Sequence, residues 1–423
     1  MSAFFSSFGN SLNTLQDKVN MQIILFSLLA GGLLELIKKS NGFAGFIRWF
    51  ERKGIFRSRK SSYFLTFSLN LSLFIDSWSN ILITGSVMRM IYTKLKVSRE
   101  RLAYFIHTTA INFVALVILN SWGAYYISLL RSQNITDPLD VIIHSIPFNY
   151  YCFGSLILVV LVMITGLTIG PMKKAKRLAI DEIKKNIGKN LKNNHELELY
   201  GENVQPNACN LVLPIIMLVS FILLGLYITG EGNLMMGSGS ASLFYAACLT
   251  IFLSSLFFIV KKIFSLKVVL DILFKGMGNL LPIAALLMFA MTLGSVCKQL
   301  GTGIYLAELV KHSIPAFMLP GIIFGLSCVI SFATGTSYGT FSIMIPIAMP
   351  MAMVMDINMG LMLGACIGGG VFGDNCSPIS DTSILTSMVA ELDVIDHIRT
   401  QIPYALIVAS AAFALYILMG ILQ

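Results

Sequence analysis

The 423-residue chain is 56% hydrophobic and only 12% charged, with a mean hydropathy of +0.79. Soluble domains carry about a quarter charged residues, so the soluble classes are excluded and an all-α polytopic protein of the lipid bilayer is expected. The net charge of +9 lies in short loops between apolar segments, a pattern of membrane orientation rather than of a nucleic-acid partner.

In chain order, residues 1–20 lack a basic start and a small-residue cleavage site, so no removable signal peptide is read and the first apolar segment is expected to stay. Apolar stretches long enough to cross about 30 Å of hydrocarbon run over 21–37, 100–130, 148–170, 209–229, 239–260, 276–297, 358–388 and 401–422. Two others, 62–92 and 313–355, are too long or too broken for one helix. Lys and Arg crowd 38–60, 89–101, 173–192 and 261–275, which the positive-inside rule makes cytoplasmic. Segment 62–92 has cytoplasmic loops on both sides, so it must enter and return as a re-entrant hairpin with its tip at Phe74 to Asn80. Segment 313–355 does the same from outside, with its tip at Ser331 to Thr340.

The expected organisation is an N-terminal segment 1–20, a first repeat 21–130 (hairpin 62–92, broken helix 100–130) and connecting helices 131–275 with a cytoplasmic linker 171–208. A second repeat 276–388 follows (hairpin 313–355, broken helix 358–388), then a C-terminal loop and helix 389–423. Two re-entrant hairpins and two broken transmembrane helices in opposite orientation form inverted-topology repeats, which in secondary transporters place the substrate site near the midplane.

Within 358–388 the run Gly368 to Ser387 sets Asp374 and Asp381 among glycines and hydroxyls. Polar, irregular backbone persists at membrane depth only when protein buries it or it lines a wet cavity. Sodium takes hard oxygen ligands, and Asp374, Asp381, Thr336 and Ser377 are the leading candidates for it. Thr334, Ser337 and Thr382 add hydroxyls, while breaks at Gly335, Gly339 and Gly373 are expected to free carbonyls. Half-helix N-termini at such breaks also suit an anionic group. Exchange against protons requires a carboxylate that proton and metal ion both seek, with Asp374 first and Asp76 second. Asp381 alternatively caps the helix starting at Thr382. Aligning the repeats sets His107 opposite Asp374 and Asp76 opposite the Thr334–Ser337 tip. His107, with an ordinary pKa of about 6.5, either relays protons or is held neutral in the helix interior. Asn80 and Asn375 either ligate or satisfy backbone, and Thr108 beside His107 is a further candidate ligand. The seven cysteines show no CxxC spacing, which indicates neither a disulfide framework nor zinc.

Phe372-Gly373-Asp374-Asn375-Cys376-Ser377-Pro378-Ile379-Ser380-Asp381-Thr382 resembles the FGDxxSPISDTT signature of the NhaC-type Na+/H+ antiporter family of the ion-transporter superfamily. Ser331 to Thr340, Ser98 to Tyr104, Ser121 to Tyr125 and Asp396 to Gln401 match further motifs of that family, and the resemblance runs from about residue 21 to the end. The chain departs from it at Ser77, where members carry a second acid after Asp76, and at His107-Thr108-Thr109, where members have Asp-Ser-Thr. The resemblance implies a carrier of Na+ and H+ with no cofactor, in the plasma (inner) membrane of a prokaryote-like cell. It also implies hairpins and broken helices that slide against a scaffold, and a homodimer.

The alternative within carriers is Na+- or H+-coupled movement of a small organic acid or amino acid. A channel generally uses oligomeric rings about a pore, unlike two hairpins in one chain. An intramembrane aspartyl protease needs GxGD, and Gly370-Val371-Phe372-Gly373-Asp374 is one residue too long. With no HExxH and no P-loop lysine, no enzyme is expected.

Overall fold

The computed structural model describes residues 16, 18–52, 58–75, 77–95, 97–175, 177, 204–232, 237–282 and 314–423, with a few positions between 283 and 313. Most of the N-terminal segment, Asp76, most of the 171–208 linker and part of the 276–297 crossing fall outside them. Among the described residues the protein is entirely helical.

Helices α1 (Lys18–Lys39), α2 (Gly42–Arg52), α3 (Arg59–Ser72), α4 (Ser77–Lys94), α5 (Arg99–Leu116) and α6 (Ser121–Ser132) make up the first block. Next come α7 (Pro138–Ser145), α8 (Tyr150–Thr165), α9 (Cys209–Thr229), α10 (Gly239–Val260) and α11 (Leu266–Asn279). The C-terminal part holds α12 (Leu319–Thr334), α13 (Ser337–Val354), α14 (Met359–Cys376), α15 (Asp381–Ala390) and α16 (Val394–Leu422). Among the described residues six helices are long and apolar enough to cross a membrane, eight spans when each bent pair counts as one. α9 leaves Val212, Ile216, Leu223, Leu224, Tyr227 and Ile228 exposed. At about 1.5–3 kcal/mol for each large apolar side chain kept from water, that face belongs in lipid.

Both expected hairpins form, as α3–α4 and α12–α13. Their bends have local causes. α3 ends at Leu73, whose N–H bonds Asn70 O, the carbonyl that Asn80 of α4 also reaches at 2.8 Å, and α12 ends at Gly335, whose φ of +67° is the left-handed region that glycine enters freely. Thr336 then caps α13 by accepting from Gly339 N. Both expected broken helices form too. α5 and α6 meet at a 46° bend, where Asn120 Oδ1 accepts from Trp122 N and Gly123 N at 2.9 and 3.1 Å. α14 and α15 are separated by Ser377-Pro378-Ile379-Ser380, where proline removes a backbone donor.

Each hairpin packs on the first half of its own broken helix and on the second half of the other. Thus α3 and α4 lie on α5 while α4 also lies on α15, and α12 and α13 lie on α14 while α13 also lies on α6. This reciprocal exchange brings the two breaks into one core. α16 packs against α14, α8 and α12, whereas α1 joins α11, α10 and α6.

Several expectations are corrected. The Gly368–Gly373 run is regular helix and Gly373 is no break, because these glycines serve packing. A Cβ on Gly369 or Gly373 would overlap the backbone or side chains of α12 around Phe324, Cys328 and Phe332. Gly339 likewise lies inside the first turn of α13. The basic stretch 38–60 is not all loop, since Phe43 and Ala44 bury the apolar side of α2. Helix α11 begins at Leu266, within the stretch read as loop, because Val269, Ile272 and Gly276 pack toward α1. A further bent pair, Pro138–Phe148 with Tyr150–Thr165, was not foreseen.

Candidate functional site

The last turn of α14, the following break, the start of α15 and the tip of the second hairpin converge on Asp374, which is 2% exposed. Ser337 Oγ, in the first turn of α13, donates to Asp374 Oδ2 at 2.8 Å. Ser380 Oγ donates to Asp374 Oδ1, and Thr382 Oγ1 donates to the same oxygen at 3.1 Å. Ser383 Oγ reaches the backbone carbonyl of Asp374 at 3.3 Å. Three hydroxyls from three separately positioned segments thus hold a carboxylate that would otherwise be costly at this depth. The tip is fixed tightly enough that a Cβ on Gly335 would strike Ile379 in the break.

Thr382 Oγ1 also lies 3.1 Å from His107 Nε2. His107 Nδ1 lies 2.9 Å from His397 Nε2 and 3.1 Å from Gln401 Nε2. The Gln401 amide donates to Asn375 O at 2.7 Å, which identifies its nitrogen and makes His107 Nδ1 an acceptor. The proton of His107 then sits on Nε2 and is donated to Thr382, whose own hydroxyl donates to Asp374. Donors therefore run in one direction, from His397 Nε2 through His107 and Thr382 to the carboxylate. His397 Nδ1 at the head of this chain is buried with no partner among the described residues.

The other expected site residues are distributed as follows. Ser377 is buried with its hydroxyl unpaired among the described residues, and Asn375 donates to Tyr151 OH at 3.2 Å. Thr336 serves as the α13 cap, and exposed Thr334 bonds back to Ile330 O. Asn80 Nδ2 donates to Asn70 O at 2.8 Å, and Thr108 lies buried on α5. Asp381 is exposed, and its Oδ1 accepts from Thr382 N. The expected cap at Asp381 is corrected, since Ser380 holds the N-cap position and Asp381 is the first residue of α15; its carboxylate stands outside the hydroxyl cage of Asp374. Asp76 lies outside the described residues. The repeat alignment of His107 with Asp374 also needs correction. His107 is mid-helix in α5, whereas Asp374 immediately precedes its break. The two meet through Thr382 across the molecule rather than by occupying equivalent places.

Ser380, His397 and Gln401 were not foreseen as site residues. His397 and Gln401 stand four apart on α16, one helical face, which was their available signal.

Two hairpins whose tips meet broken helices, with a caged carboxylate at one break, define a multi-pass membrane transporter. Residues 119–421 match the Na+/H+ antiporter family, and the chain belongs to it. It is 33% identical over 421 residues to an uncharacterized protein of Haemophilus influenzae, covering 95% of this chain and 79% of that one. A shorter match, 29% identical over 110 residues, covers 25% of this chain and 23% of the arginine/ornithine antiporter ArcD of Halobacterium salinarum. Among solved structures, the Alcanivorax borkumensis YdaH transporter aligns over 99% of this chain and 88% of its own, with a TM-score of 0.63 and 14% identity. Neisseria gonorrhoeae MtrF, from a class of antimetabolite efflux pumps, aligns over 98% and 84%, with a TM-score of 0.56 and 12% identity. At those identities the likeness is one of fold.

Proposed function

We propose that this transporter exchanges Na+ for H+ by alternating access, with Asp374 as the group for which the two ions compete. The observation that carries the reading is the cage around Asp374, since Ser337, Ser380 and Thr382 can each turn a lone pair toward a metal ion when the carboxylate binds one. A proton on Asp374 would satisfy the same oxygens without the metal, so one site holds either ion. The chain from His397 through His107 and Thr382 supplies a proton route. A proton received at His397 Nδ1 releases one from Nε2 to His107, and successive transfers deliver one to Asp374. The hairpins and broken helices move as a unit against α1 and its neighbours, and the protein works in a prokaryotic plasma membrane without a cofactor. A homodimer is part of this proposal, by family resemblance.

A second reading, antiport of an amino acid or another small organic ion, is favoured by the partial match to an arginine/ornithine antiporter. Reconstitution in proteoliposomes separates them. An imposed pH gradient should drive saturable 22Na+ movement, with counterflow, in the absence of any organic solute. Movement seen only when an amino acid or organic acid is added would favour the second reading, and ohmic single-channel currents would exclude both.

A further inference from the structure

A separate group of buried oxygens lies beneath the tip of the first hairpin. Asn70 and Asn112 are both 0% exposed. Asn70 Nδ2 donates to Thr66 O at 2.9 Å and Asn112 Nδ2 donates to Thr108 O at 2.7 Å. Only an N–H can fill that role against a carbonyl, so the amide orientation is fixed and each Oδ1 points away from its own helix turn. Among the described residues neither Oδ1 has a donor, and neither does Thr108 Oγ1.

Helical register places these three side chains along one seam. The Tyr63 ring meets Phe105 at 5.1 Å, and Arg101 Nη1 donates to Tyr63 OH at 3.4 Å. Further along, Asn120 Nδ2 donates to both Phe74 O and Val114 O. α3 and α5 therefore run side by side in the same direction, with Tyr63 level with Phe105 and Phe74 level with Val114. Asn70 then lies level with Ala110 to Asn112. On α5, Arg101, Phe105, Thr108 and Asn112 follow the four-three-four spacing of a single helical face, and Arg101 and Phe105 show that this face meets α3. On α3, Asn70 lies two turns from Tyr63, on the face toward α5. The first turn of α4 closes over the seam through the Asn80 bond to Asn70 O.

We propose that Asn70 Oδ1, Thr108 Oγ1 and Asn112 Oδ1 bind a monovalent cation, Na+, at a site distinct from Asp374. Hard neutral oxygens are what an alkali cation accepts. A buried oxygen left unmatched is destabilising, and three in one seam would be satisfied together by one small cation. A divalent ion would require carboxylates, and the described part of the seam offers none. Sodium bound here would tie α3 to α5 beneath the hairpin tip, making the first block sodium-sensing whichever cargo the Asp374 site carries.

The test is thermal unfolding of the full-length purified protein in detergent, titrated with NaCl against KCl and choline chloride at constant ionic strength. Wild type and Asp374→Asn should both be stabilised saturably by Na+. Asn112→Ala and Thr108→Val should raise the half-saturating Na+ concentration about tenfold or more. Asn112→Asp, which keeps the shape and adds a charged oxygen, should lower it, and so tests the site even if the alanine variant folds poorly. An unchanged half-saturation in all three seam variants, or loss of the Na+ response in Asp374→Asn, overturns the proposal. So does the absence of a sodium-specific response in the wild type. Sodium binding at the seam without sodium/proton exchange would overturn the proposed function while leaving this inference standing.

Discussion

Ser337 Oγ donates to Asp374 Oδ2 at 2.8 Å, so the tip of the second hairpin is bonded to the carboxylate at the break of its own broken helix. The same hydroxyl lies 3.3 Å from Gly370 O, one turn earlier on α14. Hairpin position and carboxylate environment are therefore coupled through one side chain.

Ser337→Ala should leave Asp374 Oδ2 without its donor. A hydrogen bond to a charged group contributes about 1.5–3 kcal/mol, so the apparent Na+ affinity should fall by roughly tenfold. Concentration-dependent 22Na+ uptake by the reconstituted variant measures this, with thermal unfolding as a check that the fold is retained.

Asp374→Asn should abolish gradient-driven transport while the protein still inserts and folds. The isosteric amide fills the same space, and its mismatch with three hydroxyl donors should cost about 1–3 kcal/mol of stability. Size-exclusion profile and unfolding temperature report the fold, and transport is read on the same preparation. Coupled transport retained by this variant would remove Asp374 from the mechanism.

His107→Gln should alter the pH dependence of exchange, because Gln can still bond Thr382 but cannot pass a proton between two ring nitrogens. His107→Asp, which restores the residue of the resembled motif, should also move the profile. The expected readout is a changed pH–rate curve with little change in the maximal rate at saturating Na+. An unmoved curve in both variants would assign His107 to packing.

Gly373→Val should be among the most damaging single changes. The added side chain would meet Ser331, Phe332 N and Cys328 O on α12, and overpacking at a backbone contact should cost about 3 kcal/mol or more. Loss of the monodisperse peak in detergent is the measurement. By contrast, Arg89→Ala should change stability by less than about 1 kcal/mol. Its partner Glu391, which also pairs with Arg99, is 44% exposed, and the pair should matter least at high salt.

Much of this architecture can be read from the chain because lipid imposes simple rules. The bounds of α9 and α10 follow from uninterrupted apolar runs, and both hairpins follow from counting positive loops. Asp374 stands out because a carboxylate at membrane depth needs a reason. The partners are another matter. Asp374 reaches Ser337, and His107 reaches Thr382 and His397, across long sequence separations, and such meetings depend on how the hairpins cross between repeats. The glycines of α14 misled in a different way. Glycine signals either a bend or a close approach, and only the neighbouring α12 shows that close approach is meant. Asp381 resembles Asp374 in its motif yet is exposed, because it stands one residue beyond the break, at the start of a new helix.

Proton release on sodium binding tests the central claim most directly. A pH-sensitive dye with purified protein in weak buffer near neutral pH would report it as NaCl is added at constant ionic strength. Competition at Asp374 predicts saturable, Na+-specific release of protons by the wild type and none by Asp374→Asn. Equal release from both proteins, or Na+ binding without any proton release across the pH range of transport, would contradict it.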